Sequence, residues 1–342
     1  MDYRRLGATG IQVSTLCLGT MMFGSWGNPD ERDCTRMVDL ALDAGINFID
    51  TADVYDFGVS EEILGRALKG RRDDVVLATK FHNAMGEDLN RRGNSRRWIM
   101  TAVEESLRRL GTDWIDLYQV HRPDPGVDID ETLAALSDLV HQGKVRTIGT
   151  STFPAEQLVE AAWVAERRGR ERFWTEQPPY SIFVRGIEAD VLPTAERLGL
   201  GVLVWAPLNG GWLSGKYRRG AEVTAESRAV REAAHFDIDS PAAQVKLDLV
   251  EELVALADEL GCSLAHLALG FVLAHRAVTS AIVGPRTPAQ LESLLGAQEL
   301  RLDGAVLDRI DALVPPGTNV NAQNAGYVPP ALVDPALRRR SA

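Results

Sequence analysis

The chain has 342 residues, 45% of them hydrophobic, which is enough to bury a sizeable core. Its formal net charge of −11 argues against a nucleic-acid or anionic-membrane partner. No run of about 18 apolar residues is present, and "MDYRRLGATGIQVS" lacks the apolar stretch of a signal peptide. Cys17, Cys34 and Cys262 lie far apart and form no CxxC or Cys/His pattern, so buried thiols in a cytoplasmic protein and no metal site are expected.

The predicted elements follow in order. Residues 3–14 read as a small hairpin around Gly7 and Gly10. A strand at 14–20 precedes a helix at 31–45, and a strand at 46–52 precedes a helix capped by Ser60. Further strand–helix pairs are 74–80 with 95–111, 114–121 with 130–143, 145–151 with 155–169, and 172–177 with 187–199. A strand at 200–208 leads through a long loop, 209–240, to helices at 242–261 and 263–275. A last strand at 279–286 precedes a helix at 288–297, and 315–342 read as an irregular tail. Parallel strands need helical crossovers, so eight such units predict an α/β chain forming one (β/α)8 barrel over 1–342, floored by the hairpin. A doubly wound open sheet fits less well, because "CLGTMMFGSWG" is not the expected GxGxxG turn.

In such a barrel, chemistry sits at the C-terminal strand ends. Those ends carry Asp50 followed by Tyr55, then Lys80, then His121, then Ser151 and Thr152, then Gln177 with Tyr180 nearby. A phenol is a weak acid at neutral pH, and an adjacent ammonium lowers its pKa. A carboxylate would hold that ammonium, and an imidazole would orient a carbonyl oxygen. Together they form a proton donor for a developing alkoxide. None of the four supplies two electrons, so a hydride must come from a cofactor. Asp53 reads as a loop or capping residue. After the last strand, Thr287, Pro288 and Gln290 form a capping box that opens a helix, and Gly284 and Arg286 suit close approach to a phosphate.

"GINFIDTADVY", "VVLATK" and "DLYQVH" make the chain resemble the aldo-keto reductases over nearly its whole length. The resemblance implies a (β/α)8 barrel and reduction of an aldehyde or ketone with NADPH. It implies Tyr55 as general acid, tuned by Lys80 and Asp50, with His121 orienting the substrate. For the cofactor it implies Gly19, Thr20, Met21 and Asp50 along one wall, and Ser151, Thr152 and Gln177 on the carboxamide. It further implies Trp205 on the nicotinamide ring, cofactor contacts from Ala206 and Pro207, the stretch of Leu208, Gly210, Ser214 and Lys216 along the pyrophosphate, and Gly284, Arg286 and Gln290 at the 2′-phosphate. The loop 209–240 would fold over the cofactor. Thr152 stands where the family has Asn, and Ser293 and Leu294 where many members carry Glu and Asn. Met21, Met22, Trp26, Phe57, Phe81 and His82 would line an apolar substrate pocket beside Tyr55 and His121. Two other readings are a keto- or enoyl-reductase acting on sugar nucleotides and a cofactor-binding regulatory subunit like the potassium-channel β subunits. The oligomeric state stays open.

Overall fold

The computed structural model describes residues 1–220 and 238–340. Strands β1 (Tyr3–Arg5) and β2 (Gln12–Ser14) pair antiparallel as the expected hairpin. The barrel strands are β3 (Leu16–Gly19), β4 (Phe48–Asp50), β5 (Val76–Phe81), β6 (Ile115–Val120), β7 (Val145–Ser151), β8 (Thr175–Gln177), β9 (Gly201–Val204) and β10 (Val278–Val283). They close as β10-β3-β4-β5-β6-β7-β8-β9, parallel throughout.

The helices that cover the barrel are α1 (Glu31–Asp43), α2 (Val59–Ala67), α3 (Arg96–Leu110), α4 (Ile129–His141), α5 (Ala155–Arg168) and α6 (Val191–Leu198). After them come α7 (Pro241–Glu259), α8 (Leu264–Ala274), α9 (Pro288–Leu294) and α10 (Gly304–Leu313). Most start where short polar side chains cap them: Asp30, Ser95, Asp128, Ser240, Ser263, Thr287 and Asp303 each accept a bond from a first-turn amide. Helix α10, which the sequence reading left unassigned, is one of these.

Helix α2 departs from expectation. Gly58, at φ 98°, occupies its N-cap, and a side chain there would meet Arg109 Cδ at 2.7 Å. Ser60 lies inside the first turn, and its hydroxyl donates to the Thr20 carbonyl at 2.8 Å. It fastens the helix to the barrel wall and does not cap it.

The period of two along each strand sorts the core into two layers. Leu16, Leu18, Ile49, Leu77, Phe81, Tyr118 and Val120 face outward into the packing between barrel and helices. Cys17, Phe48, Ala78, Leu117, Leu203 and Ile282 face the lumen and pack on Leu6 and Val13 of the hairpin, which floors the barrel. Two residues further along three of these strands, the same lumen face turns polar: Phe48 gives way to Asp50, Ala78 to Lys80 and Leu117 to Gln119. The apolar plug below and the polar layer above place the chemistry at the C-terminal rim.

The segment 315–340 carries only short turns, such as Ala322–Ala325 and Pro330–Val333. Val320 N bonds Phe183 O, and Asn319 Oδ1 accepts from Gly186 N at 2.8 Å, so the tail's first part is fixed across the loop after β8. Residues 221–237 of the expected cofactor loop lie outside the described residues.

Candidate active site

Lys80 Nζ is wholly buried in the polar layer. It donates to Asp50 Oδ1 at 2.5 Å, to the Thr51 carbonyl at 2.8 Å and to Tyr55 Oη at 3.4 Å. Asp50 Oδ2 accepts from Gln119 Nε2 at 3.1 Å and from Gln177 Nε2 at 2.9 Å. Gln177 Nε2 also reaches Gln119 Oε1 at 3.2 Å, closing the network across β4, β5, β6 and β8. A buried ion pair is tolerable only when its remaining lone pairs are met, and here the two amides meet those of Asp50. Gln119 was not singled out in the sequence. A lone Gln within a strand carries no signal until the register shows it facing Asp50.

Tyr55 sits at the start of a tight turn whose next residues, Asp56 and Phe57, have φ of 47° and 51°. The Asp56 carboxylate accepts from Ser25 N at 2.6 Å and Ser25 Oγ at 2.7 Å. That bond holds the loops after β3 and β4 together and sets Trp26 edge-on to Phe57, centroids 6.1 Å apart. Phe57 is 64% exposed, so the pair stands as an open aromatic wall. The Tyr55 and His121 rings also meet edge-on, centroids 6.0 Å apart.

The electrostatics assign protonation states. Burial raises the Tyr55 pKa above the ordinary phenol value, with Lys80 and Arg122 pulling the other way. The expected net lowering by Lys80 is therefore overcome by desolvation, and Tyr55 stays protonated across the neutral range. Burial alone would lower Lys80, but Asp50 and Tyr55 outweigh it and hold its pKa up. His121 is pushed well below the ordinary imidazole value by burial and by Lys80, Arg122 and His82. Asn83 Nδ2 donates to His121 Nδ1 at 3.1 Å, which leaves the proton of the neutral ring on Nε2. Asn83 and Arg122 are two further rim residues that the sequence reading passed over, since a loop position shows no periodicity.

Several expected residues stand elsewhere. Phe81 follows Lys80 by one position, so its side chain faces the opposite way. It is wholly buried against Tyr118, centroids 4.9 Å apart, and cannot line a pocket at the rim. Tyr180 is also withdrawn: it donates to Glu188 at 2.6 Å. Asp53 lies in the loop before Tyr55, as one of its two expected roles has it, and does not cap; neither carboxylate oxygen finds a hydrogen bond, and burial followed by Glu61 pushes its pKa well up. His82 Nδ1 is engaged with Asn94 Oδ1 at 2.8 Å. Gly19 and Thr20 are buried in the wall, with the Thr20 hydroxyl bonded to the Asp50 carbonyl and to Ser60. Met21 is half-buried and Met22 is buried beside them.

At the other side of the rim, Ser151 Oγ donates to the Gln177 carbonyl at 2.9 Å. Thr152 stands at φ 62°, a conformation that a β-branched residue adopts with strain and Asn more readily. Trp205 Nε1 is buried without a hydrogen bond. Beyond it Ala206, Asn209, Gly210 and Gly211 all have positive φ, so the backbone from Pro207 and Leu208 to Ser214 and Lys216 is a tight, strained loop. Lys246 of α7 holds it, donating to Asn209 Oδ1 at 2.8 Å and to Asn324 Oδ1 at 2.8 Å. A side chain at Gly284 would meet nothing nearer than Gly19 O at 3.9 Å, which leaves its backbone open to a ligand. Thr287 caps α9 as expected, but Gln290 Oε1 accepts from the Arg286 amide at 2.8 Å and does not return to Thr287. That helix has seven residues, and the Gln290 amide in its first turn is already engaged by the Thr287 hydroxyl.

A parallel eight-stranded barrel with Asp, Tyr, Lys and His gathered at its C-terminal rim defines the class of barrel oxidoreductases. The comparisons agree. The model of the aldo/keto reductase family matches residues 15–315. A Bacillus subtilis (strain 168) protein named uncharacterized oxidoreductase YrpG is 41% identical over 326 residues, 92% of this chain and 96% of that one. The aldo-keto reductase YhdN of the same organism is 41% identical over 302 residues, 86% of this chain and 88% of that one. A probable voltage-gated potassium channel subunit beta of Arabidopsis thaliana is 34% identical over 321 residues, 92% of this chain and 97% of that one. The chain belongs to the aldo/keto reductase family.

Proposed function

We propose that the protein reduces an aldehyde or ketone to the alcohol using NADPH, with Tyr55 as proton donor. The observation that carries this reading is the bonded line from Asp50 through Lys80 to a protonated Tyr55, beside a neutral His121. When bound, a reduced nicotinamide supplies the hydride. The rim suits that group: Trp205 offers a flat indole, Thr152 a hydroxyl and Gln177 the Oε1 that its bond to Asp50 leaves over.

His121 Nε2–H and Tyr55 Oη–H would both donate to the substrate's carbonyl oxygen. They polarise the carbonyl and fix its face. As negative charge grows on that oxygen, Tyr55 passes its proton to it. Lys80 steadies the phenolate left behind, and Asp50, held by Gln119 and Gln177, keeps Lys80 in place. Trp26 and Phe57 would shield the substrate's apolar part, which fits a small-molecule carbonyl compound as the partner.

The test is oxidation of NADPH and NADH with a panel of aldehydes and ketones, wild type beside Tyr55→Phe. Turnover that collapses in the variant supports the reading, and the ratio of the two cofactors reads the part of Arg286. The similarity to channel β subunits supports a second reading, a cofactor-binding regulatory subunit. Tight cofactor binding with no turnover on any carbonyl would select it.

A further inference from the structure

Arg122 follows His121 directly, at the C-terminal end of β6. Its Nη1 donates to the His121 carbonyl at 2.7 Å, to Thr152 Oγ1 at 3.0 Å and to Ser151 Oγ at 3.4 Å. Its guanidinium carbon lies 5.8 Å from the centre of the Trp205 ring. All of these partners are neutral. Among the described residues no carboxylate comes within 4.0 Å of Arg122. Arg72, Arg109 and Arg185 behave differently: each pairs with a carboxylate, Asp116 at 2.6 Å, Glu61 at 2.7 Å, and Asp311 at 2.7 Å. The acid whose charge reaches Arg122 is Glu176, but its carboxylate is bonded to the Thr150 hydroxyl at 2.5 Å and the Phe153 amide at 3.1 Å.

A half-buried guanidinium always carries its charge at neutral pH, and leaving it without an anion is unfavourable unless one arrives. Nη2 and Nε of Arg122 make no hydrogen bond among the described residues. Neither atom is sealed from solvent, so both can meet an incoming acceptor. Nη1 is pinned by three acceptors, which orients the fork in advance and lowers the entropy lost on binding.

We propose that Arg122 anchors an oxyanion of the substrate, so that the preferred carbonyl compound carries a carboxylate or a phosphate. This rests on the carbonyl-reductase reading above. The phosphates of a dinucleotide are poorly placed to be that anion. In the closed strand order β6 lies opposite β10, across the lumen from Gly284 and Arg286. Arg122 instead shares a strand end with His121, so an anion held there leaves the rest of the molecule beside His121 and Tyr55.

The experiment measures kcat/KM for two matched pairs, 4-carboxybenzaldehyde against its methyl ester and glyceraldehyde 3-phosphate against glyceraldehyde. Wild type, Arg122→Lys and Arg122→Met are compared. The expected result is a preference of about tenfold or more for one anionic member, carried by KM, as a charge-assisted hydrogen bond supplies. The preferred pair names the anion. The ratio should fall toward one in Arg122→Met and persist in part in Arg122→Lys. No preference for either anion in wild type overturns the proposal. So does an equal loss on both members of a pair, because Arg122 would then only position Ser151 and Thr152. Should no carbonyl be turned over, the reductase reading fails by itself. Calorimetry with benzoate and with inorganic phosphate then still reads the anchor. Binding to wild type and not to Arg122→Met supports it, and equal or absent binding overturns it.

Discussion

Tyr55 Oη and Lys80 Nζ stand 3.4 Å apart, joining the turn after β4 to the end of β5. The contact exists because Lys80 is the lumen-facing residue two positions above the apolar Ala78, while Tyr55 opens the tight turn that follows β4. Lys80 has no water to turn to, so Asp50, the Thr51 carbonyl and Tyr55 alone fix its direction. Removing the phenol oxygen removes the proton donor and leaves Lys80 its bonds to Asp50 and the Thr51 carbonyl. Tyr55→Phe should lower kcat/KM for carbonyl reduction by about 10²–10⁴ while NADPH affinity, read by fluorescence titration, changes little.

Lys80→Met should act on both stability and activity. It strands the Asp50 carboxylate in the lumen with only the Gln119 and Gln177 amides to meet it. Breaking a buried pair from one side costs about 3–5 kcal/mol. Denaturant unfolding of the variant should show a loss of that order, and its turnover should fall with Tyr55 left untuned. A variant as stable as wild type would show that the pair contributes nothing to the fold.

The pH profile follows from the two protonation states. His121, held neutral well below the ordinary imidazole pKa, gives no change between pH 6.5 and 9. Tyr55, raised above the ordinary phenol value, loses its proton only above that range. A plot of log kcat/KM against pH should therefore be flat over this window and fall on the alkaline side. In Asn83→Asp a carboxylate faces Nδ1, draws the proton to that nitrogen and favours the imidazolium. An acid limb should then move up toward neutral pH, with kcat lowered at its former plateau. A profile that Asn83→Asp leaves in place would separate Asn83 from the state of the ring.

Glu176 gives a stability prediction with a definite sign. Burial raises its pKa to about 7 against an ordinary 4.5. Between those values the folded chain holds a proton that the unfolded chain has lost. Its contribution is thus full below pH 4.5 and is lost as pH rises to about 7. At about 1.4 kcal/mol per pH unit the loss amounts to about 3 kcal/mol. Glu176→Gln mimics the protonated form. Urea unfolding of wild type and variant should differ little at pH 4.5 and favour the variant above pH 7.

The barrel was legible because its signal is spread over the whole chain. Eight apolar runs alternate with amphipathic ones, and only helical crossovers on a parallel sheet satisfy that order. Asp50, Lys80 and His121 were legible for a related reason, since each is a polar residue closing an apolar run. Phe81 was misplaced by the same logic applied one residue too far, because a step of one along a strand reverses the side chain. Ser60 looked like a cap by residue type, and Asp53 like a loop or capping residue. The φ of 98° at Gly58 took the capping position, and Asp53 is fully buried in the loop before Tyr55.

The sequence by itself determined the strand–helix order, the hairpin floor and the strand-end residues Asp50, Lys80 and His121, because local periodicity and residue chemistry are properties of the chain. Which of those residues touch was decided only in the tertiary structure. The lumen layer joining Asp50 to Gln119 and Gln177, the amide of Asn83 behind His121, and the Ser151 and Thr152 hydroxyls beside Arg122 depend on strand register and barrel closure. These relations span up to 127 residues of chain, as between Gln177 and Asp50, and no local pattern records them. Burial then settled the protonation of Tyr55 and His121, since the cost of a charge depends on the water that the closed barrel excludes.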